Sequence, residues 1–256
     1  MKTSEDVFCF RRFALSQSNC AMRIGTDGVL LGAWVGRHVS ESLTSILDVG
    51  CGSGLIGMML AQALPTAQIH GLEIDSAASL TATRNAELSP FADRVKIVEG
   101  DIISLPAELS NYSYDLVVSN PPYFSNSLKS AQTTRNLARH QGEGFTLAQL
   151  LHSVGPLLSA KGLVGIVCPT DRMEQLRLCA TSERLGLVRL CHIHTVEGKA
   201  AKRTLSLWQN LRINKEPLPS PYIESLVIRN RDGCYHPQYI ALTREYYLPE
   251  HFNTTD

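Results

Sequence analysis

Neither sign of charge predominates in this chain. Its 256 residues carry 24 Lys+Arg against 24 Asp+Glu, a formal net charge of zero. Overall charge therefore gives no support for nucleic-acid binding, and any such surface must be local. Cysteine is sparse and odd in number, seven, with no Cys-x-x-Cys pair. That argues against a disulfide framework and against a zinc site, and it fits a reduced, cytoplasmic protein. Cys168 and Cys191 sit in apolar runs and read as small core residues. His192 and His194 alternate in a strand-like run without further ligands nearby, so no metal is expected. There is no hydrophobic stretch long enough to span a membrane. Met1-Lys2-Thr3-Ser4-Glu5-Asp6 lacks the apolar core of a signal peptide.

What is present is an alternation of strand-like and helix-like stretches from Leu43 to Val167. Strands are predicted at Ser45 to Val49, Gln68 to Leu72, Val95 to Val98, Tyr114 to Ser119 and Leu163 to Cys168. Helices are predicted at Leu55 to Leu64, Ser76 to Leu88 with Ser76 as one candidate N-cap and Asp75 as a helix-start residue, Thr146 to Leu158 and Arg172 to Leu185. Such alternation favours a parallel sheet with helices on both faces. Val188 to Ile193 and Thr204 to Trp208 have no helix between them, so they should pair antiparallel. Ahead of the sheet, Thr26 to Val35 suggests a capped helix, and the tail holds one more apolar run, Ser225 to Ile228. The expectation is one domain over 1–256: an extension and pre-sheet helix at 1–42, a core at 43–210 and an addition at 211–256.

Two blocks carry chemistry. The first strand runs into Asp48-Val49-Gly50-Cys51-Gly52-Ser53-Gly54. A glycine-rich turn between strand and helix lets backbone N–H groups and a helix N-terminus approach a ligand closely. Gly52-Ser53-Gly54-Leu55-Ile56-Gly57 also fits a dinucleotide fingerprint, with Glu73 near the distance of a ribose-binding acid. The second block is Asn120-Pro121-Pro122-Tyr123, directly after the fourth strand. Asn120 offers a side-chain oxygen and Pro121 a carbonyl, two acceptors for the N–H bonds of an amino group whose lone pair must be localised before it attacks. The prolines fix φ and restrict the preceding residue, so both acceptors are held in advance. Tyr123 offers a flat face for a planar base.

Together the blocks resemble the class I S-adenosylmethionine methyltransferases that act on exocyclic or amide nitrogens. The resemblance implies a Rossmann-like α/β fold with a mostly parallel seven-stranded sheet whose last strand is antiparallel. It implies S-adenosyl-L-methionine as cofactor. Asp48, Gly50, Gly52 and Gly54 would hold its methionine end, Glu73 both ribose hydroxyls, and Asp101 the adenine amino group. Ile102 would pack on the ring, and Asn120 would border the cofactor.

The same tetrapeptide serves enzymes acting on DNA adenine, RNA adenine or guanine, and protein glutamine. A separate target-reading domain or a helical N-terminal domain finds little room here, whereas a compact RNA enzyme fits. Cys20 to Trp34, Ser225 to Arg229 and Tyr239 to Thr243 are similar to the bacterial valine-tRNA adenine-N6 methyltransferase family. That likeness spans nearly the whole chain and implies methylation of the adenosine just 3′ of the anticodon, with tRNA as partner and no obligate protein partner. Local basic clusters are the expected RNA contacts: Lys129, Arg135, Arg139 and His140 without an intervening acid, then Lys199, Lys202 and Arg203, and Arg11-Arg12 as a third. Another N-methylation substrate, or a cofactor-binding module without catalysis, stays open as the alternative.

Overall fold

A computed structural model describes residues 6–122, 146–213 and 217–253. Strands β1 (Val7–Cys9) and β2 (Ala14–Ser16) form an antiparallel hairpin. After helix α1 (Thr26–His38) the chain alternates β3 (Ser45–Val49), α2 (Leu55–Ala63), β4 (Gln68–Glu73), α3 (Ser76–Glu87) and β5 (Val95–Glu99). The short α4 (Ala107–Ser110) leads to β6 (Tyr114–Ser119). Then come α5 (Leu147–Val154), β7 (Leu158–Pro169), α6 (Met173–Ser182), β8 (Leu185–Val196), β9 (Arg203–Asn210), β10 (Tyr222–Arg229) and α7 (Pro237–Thr243).

The large sheet has eight strands in the order β10-β8-β9-β7-β6-β3-β4-β5. Strand β9 runs antiparallel to β7 and β8, as its missing crossover helix requires, and every other pair is parallel. The sheet exceeds the expected seven strands because the tail run joins it as β10, parallel to β8 with Tyr222 opposite Arg189. The last strand in the chain is thus parallel, and the antiparallel one is its predecessor. Strand β10 covers the backbone edge that β8 would otherwise leave open. Glu224 pins it: its Oε1 accepts from Trp34 Nε1 at 2.9 Å and lies 3.3 Å from Arg189 Nη1.

Side chains alternate across the sheet. From β3, Ile46 enters a core with Leu30, Trp34, Met58 and Met59 of α1 and α2. Leu47 and Val49 enter the opposite core with Tyr114, Leu150, Leu151 and Trp208. Gly28, Gly32 and Gly36 make the close approach of α1 to α2; a Cβ on each would fall within 2.9 Å of Leu55, Met59 or Ala63.

Two helix starts are fixed by the residue just ahead of the first helical one. Helix α1 has Gly25 at its N-cap with no side-chain cap bond, so Thr26 does not cap it. Helix α3 is capped by Asp75, whose carboxylate accepts from the Ala78 N–H at 2.8 Å, while Ser76 is already helical. Both residue types suit a cap, and a one-residue frame decides between them.

Candidate active site

Strand order reverses between β3 and β6, and in open α/β sheets the crevice at such a switch point receives the ligand. The glycine turn leaves the carboxyl end of β3, and Asn120 leaves that of β6. Ser119 is paired with Val49, and its hydroxyl donates to the Val49 carbonyl at 2.9 Å. The two blocks, about seventy residues apart in sequence, therefore share one edge.

The turn is left-handed at three glycines, Gly50 at φ +69°, Gly52 at +56° and Gly54 at +85°, a conformation that L side chains rarely adopt. A Cβ at Gly50 or Gly52 would meet nothing within 4 Å among the described residues, which leave the turn uncrowded from above. Its backbone is held from below. The Gly50 and Cys51 N–H groups donate to the Leu72 carbonyl at 2.8 and 3.1 Å, and Gly54 donates to Cys51 at 2.8 Å. Asn85, which the sequence did not single out, donates from Nδ2 to the carbonyls of Ser16 and Ser53, both at 2.9 Å. It ties the hairpin to the turn.

Glu73, 8% exposed, ends β4 beside this turn. Its Oε2 accepts from the Gly52 N–H at 2.8 Å and its Oε1 from the Asp75 N–H at 3.0 Å. Each carboxylate oxygen keeps a second lone pair for a hydroxyl donor. Gly100 donates to the Glu73 carbonyl at 2.9 Å and so holds the ends of β4 and β5 together. Asp101 follows at once, half-buried, its Oδ1 accepting from the Ile103 N–H at 2.9 Å. Ile102 is buried in the core beneath.

Asp48 lies deeper than expected. It is 1% exposed, its Oδ2 accepts from the Gly57 N–H at 2.9 Å, and its Oδ1 has no hydrogen-bond partner among the described residues. Instead of lining an open surface, it sits under the turn and braces the first residues of α2. Burial, only partly offset by the Gly57 bond, pushes its carboxyl up to about 7, and the charge of Glu73 adds to the rise.

Asn120 is half-buried, and its Nδ2 lies 3.7 Å from Met22 Sδ. This weak contact turns the amide nitrogen toward the pre-sheet segment. Met22 is 55% exposed beside the site, and no feature of its sequence surroundings marks it. Pro121 is buried and Pro122 exposed. Tyr123, Lys129, Arg135, Arg139 and His140 lie outside the described residues. Lys199 and Lys202 are exposed between β8 and β9. Arg203 is partly committed elsewhere, since its Nε donates to Asp27 Oδ2 of α1 at 2.8 Å.

The family model described as methyltransferase small domain matches residues 34–147. A tRNA1(Val) (adenine(37)-N6)-methyltransferase of Porphyromonas gingivalis is 43% identical over 247 residues, 94% of this chain and 95% of the relative. The chain belongs to the tRNA1(Val) (adenine(37)-N6)-methyltransferase family. Another member, from Parabacteroides distasonis, is 38% identical and aligns over 94% of this chain and 97% of its own. Among solved structures, a predicted O-methyltransferase from Agrobacterium tumefaciens superposes with a TM-score of 0.66 at 18% identity, covering 86% of this chain and 96% of its own. A Listeria monocytogenes protein assigned to the class I S-adenosylmethionine-dependent methyltransferases gives 0.59 at 14%, covering 80% and 68%. These two show the class I fold.

The methyl donor of this family is S-adenosylmethionine. The residues present fit it: an open turn of left-handed glycines, the N-terminus of α2 behind it, a strand-end carboxylate, and a buried acid with an orphaned oxygen. Among the described residues no group of three or more His, Cys, Asp or Glu is arranged to hold a metal, and no helix is long and apolar enough to cross a membrane.

The raised Asp48 carboxyl has a measurable consequence. S-adenosylmethionine carries a net positive charge, which favours the ionised carboxylate. Binding should therefore release a proton below about pH 7 and tighten as pH rises toward that value, then level off. The slope cannot exceed about one tenfold step per pH unit for one proton. Without cofactor the sign is opposite. The folded carboxyl titrates above its ordinary 3.8, so its contribution to stability is fully present below that value and lost as pH rises through about 7. Calorimetry across pH should give a sloping profile for wild type and a flat one for Asp48→Asn. Equal slopes would remove Asp48 from the linkage.

Proposed function

We propose that this chain transfers a methyl group from S-adenosylmethionine to N6 of adenosine 37, beside the anticodon of a valine tRNA. The observation that carries this reading is the pairing of Ser119 with Val49, which sets the glycine turn and Asn120 on one edge. The near full-length relatives supply the substrate class. The described and flanking segments are read as one unit over 1–256, acting in the cytoplasm where its substrate is made and used.

When bound, S-adenosylmethionine supplies an electrophilic methyl group on a positively charged sulfur. The chain's residues divide the remaining work. Gly50, Gly52 and Gly54, whose own N–H groups are bonded within the turn, give the methionine end a close approach that no side chain obstructs. Glu73 accepts from ribose hydroxyls, Asp101 from the adenine amino group, and Ile102 supports the ring. Asn120 Oδ1 and the Pro121 carbonyl accept from the two N6 hydrogens of the target adenine. Their dipoles favour the pyramidal nitrogen whose lone pair points at the methyl group, and they are fixed before substrate arrives. Alignment of nitrogen and methyl supplies much of the rate. Tyr123 stacks on the extruded base, an interaction worth roughly 1–3 kcal/mol.

The test is transfer of labelled methyl groups to total tRNA, ribosomal RNA, DNA and protein. Label is expected in tRNA and absent from a valine tRNA carrying guanosine at position 37. Label in ribosomal RNA or protein would replace the substrate. No label anywhere, with cofactor binding intact, would favour a module without catalysis.

The acid-free segment after the catalytic turn is read as a holder of tRNA phosphates while the base is flipped, which costs less in a loop than in a duplex. Replacing Lys129, Arg135 and Arg139 together by Ala should flatten the log–log salt dependence of tRNA binding by about two to three units. Affinity for S-adenosylmethionine should stay unchanged. An unaltered slope would move the RNA contact to Lys199 and Lys202.

A further inference from the structure

The pair Arg11-Arg12 has no part in the site above, and the fold gives it company. Arg37 from the last turn of α1 and Arg244 just after α7 come to the same place. The four arginines line a groove of about 650 Å³, floored by the C-terminal ends of α1 and α2 and walled by Tyr246. All four are exposed. Among the described residues Glu245 is the one acid lining it, and it pairs with Arg244 at 3.4 Å. Among the described residues no carboxylate is paired with Arg11, Arg12 or Arg37. In a chain of zero net charge, this is a marked local excess of positive charge.

The groove is built as well as charged. Arg11 donates from its backbone N–H to the Tyr246 carbonyl at 2.7 Å and from Nη1 to the Arg244 carbonyl at 3.1 Å. Gln62 of α2 donates to the Glu245 carbonyl at 2.7 Å. These bonds fasten the hairpin loop, α2 and the segment after α7 to one another across more than 230 residues of chain. The Arg12 guanidinium lies 5.5 Å from the centre of the Phe91 ring, an arrangement that orients it without neutralising it. Bringing four like charges together is unfavourable by itself, and an anion between them relieves the cost. All four are Arg, whose planar fork matches phosphate oxygens two at a time.

We propose that this groove binds the phosphate backbone of the tRNA away from the methylated nucleotide. The inference rests on the tRNA reading above and extends it to a second binding surface. Helix α2 starts at the glycine turn and reaches the groove at its far end, nine residues or about 14 Å away. A substrate of RNA size spans that distance, whereas a mononucleotide does not.

The experiment compares wild type with the triple variant Arg12→Gln, Arg37→Gln and Arg244→Gln, which spares Arg11 and its fastening bonds. Binding of full-length valine tRNA is measured over a salt series, with melting temperature as the check on folding. The log–log slope should fall by about two to three units, near 0.9 for each phosphate that is no longer neutralised. KM for tRNA should rise while kcat and S-adenosylmethionine affinity hold. Should the triple variant fold poorly, Arg37→Glu alone serves, with a slope reduced by at least about one unit. A folded variant with the wild-type slope overturns the groove and leaves the tRNA reading intact. Wild type that neither binds nor methylates tRNA overturns both.

Discussion

Asn120→Ala should lower kcat by about two to three orders of magnitude and leave S-adenosylmethionine affinity nearly unchanged. Asn120 stands at the end of β6, fixed by the Ser119 bond to Val49, while the cofactor turn is braced by other residues. Removing the amide therefore leaves that bracing in place. What disappears is an acceptor that matters most as the nitrogen gives up its conjugation, which is a transition-state interaction. Asn120→Asp keeps an acceptor oxygen at the same reach and gives up only the weak approach to Met22. It should retain more activity than Ala. Single-turnover methylation of valine tRNA, with calorimetry for the cofactor, separates the two effects. Near-normal turnover in the Ala variant would remove Asn120 from the chemistry.

The parts of this arrangement that were legible in the sequence are those set by local rules. Short apolar runs closed by glycine or asparagine marked β3 and β6, because a strand buried on both faces reads as continuous hydrophobic sequence. The glycine turn was legible because few residues other than glycine tolerate φ near +60° at three alternate positions. The parts that were not legible depend on long-range partners. Ser225 to Ile228 read as one more apolar run, but its place beside β8 depends on Glu224 meeting Trp34 and Arg189. The depth of Asp48 followed from the packing of α2 against β3, which motif spacing does not encode. Arg203 appeared in a basic cluster, and only the fold brought Asp27 to it. The four arginines of the distal groove come from segments that no window of sequence contains.

Glu73→Ala should weaken S-adenosylmethionine binding by about ten- to a hundredfold, or roughly 1.5–3 kcal/mol. A ribose contact alone would account for the lower part of that range. The structure adds a second cost. Both Glu73 oxygens already accept backbone N–H groups, from Gly52 and from Asp75, so the carboxylate also sets the shape of the turn. Its truncation leaves two donors at a largely buried site without partners. This double role makes a sharper prediction for Glu73→Gln. Ribose hydroxyls both donate and accept, so a glutamine would serve them almost as well as a glutamate. The turn would not accept it. Either orientation of the amide points its NH₂ at one of two N–H donors, replacing a hydrogen bond by a clash of like dipoles. Glu73→Gln should therefore come close to Glu73→Ala in its loss of affinity. Faster hydrogen exchange at the Gly52 amide in the cofactor-free protein should accompany that loss. Calorimetry and exchange together give the decision. If Glu73→Gln binds S-adenosylmethionine within about twofold of wild type, with Gly52 still protected, Glu73 touches only the ribose. The turn would then be held without Glu73, by the Leu72 carbonyl, the Gly54–Cys51 bond, Asn85 and Asp48.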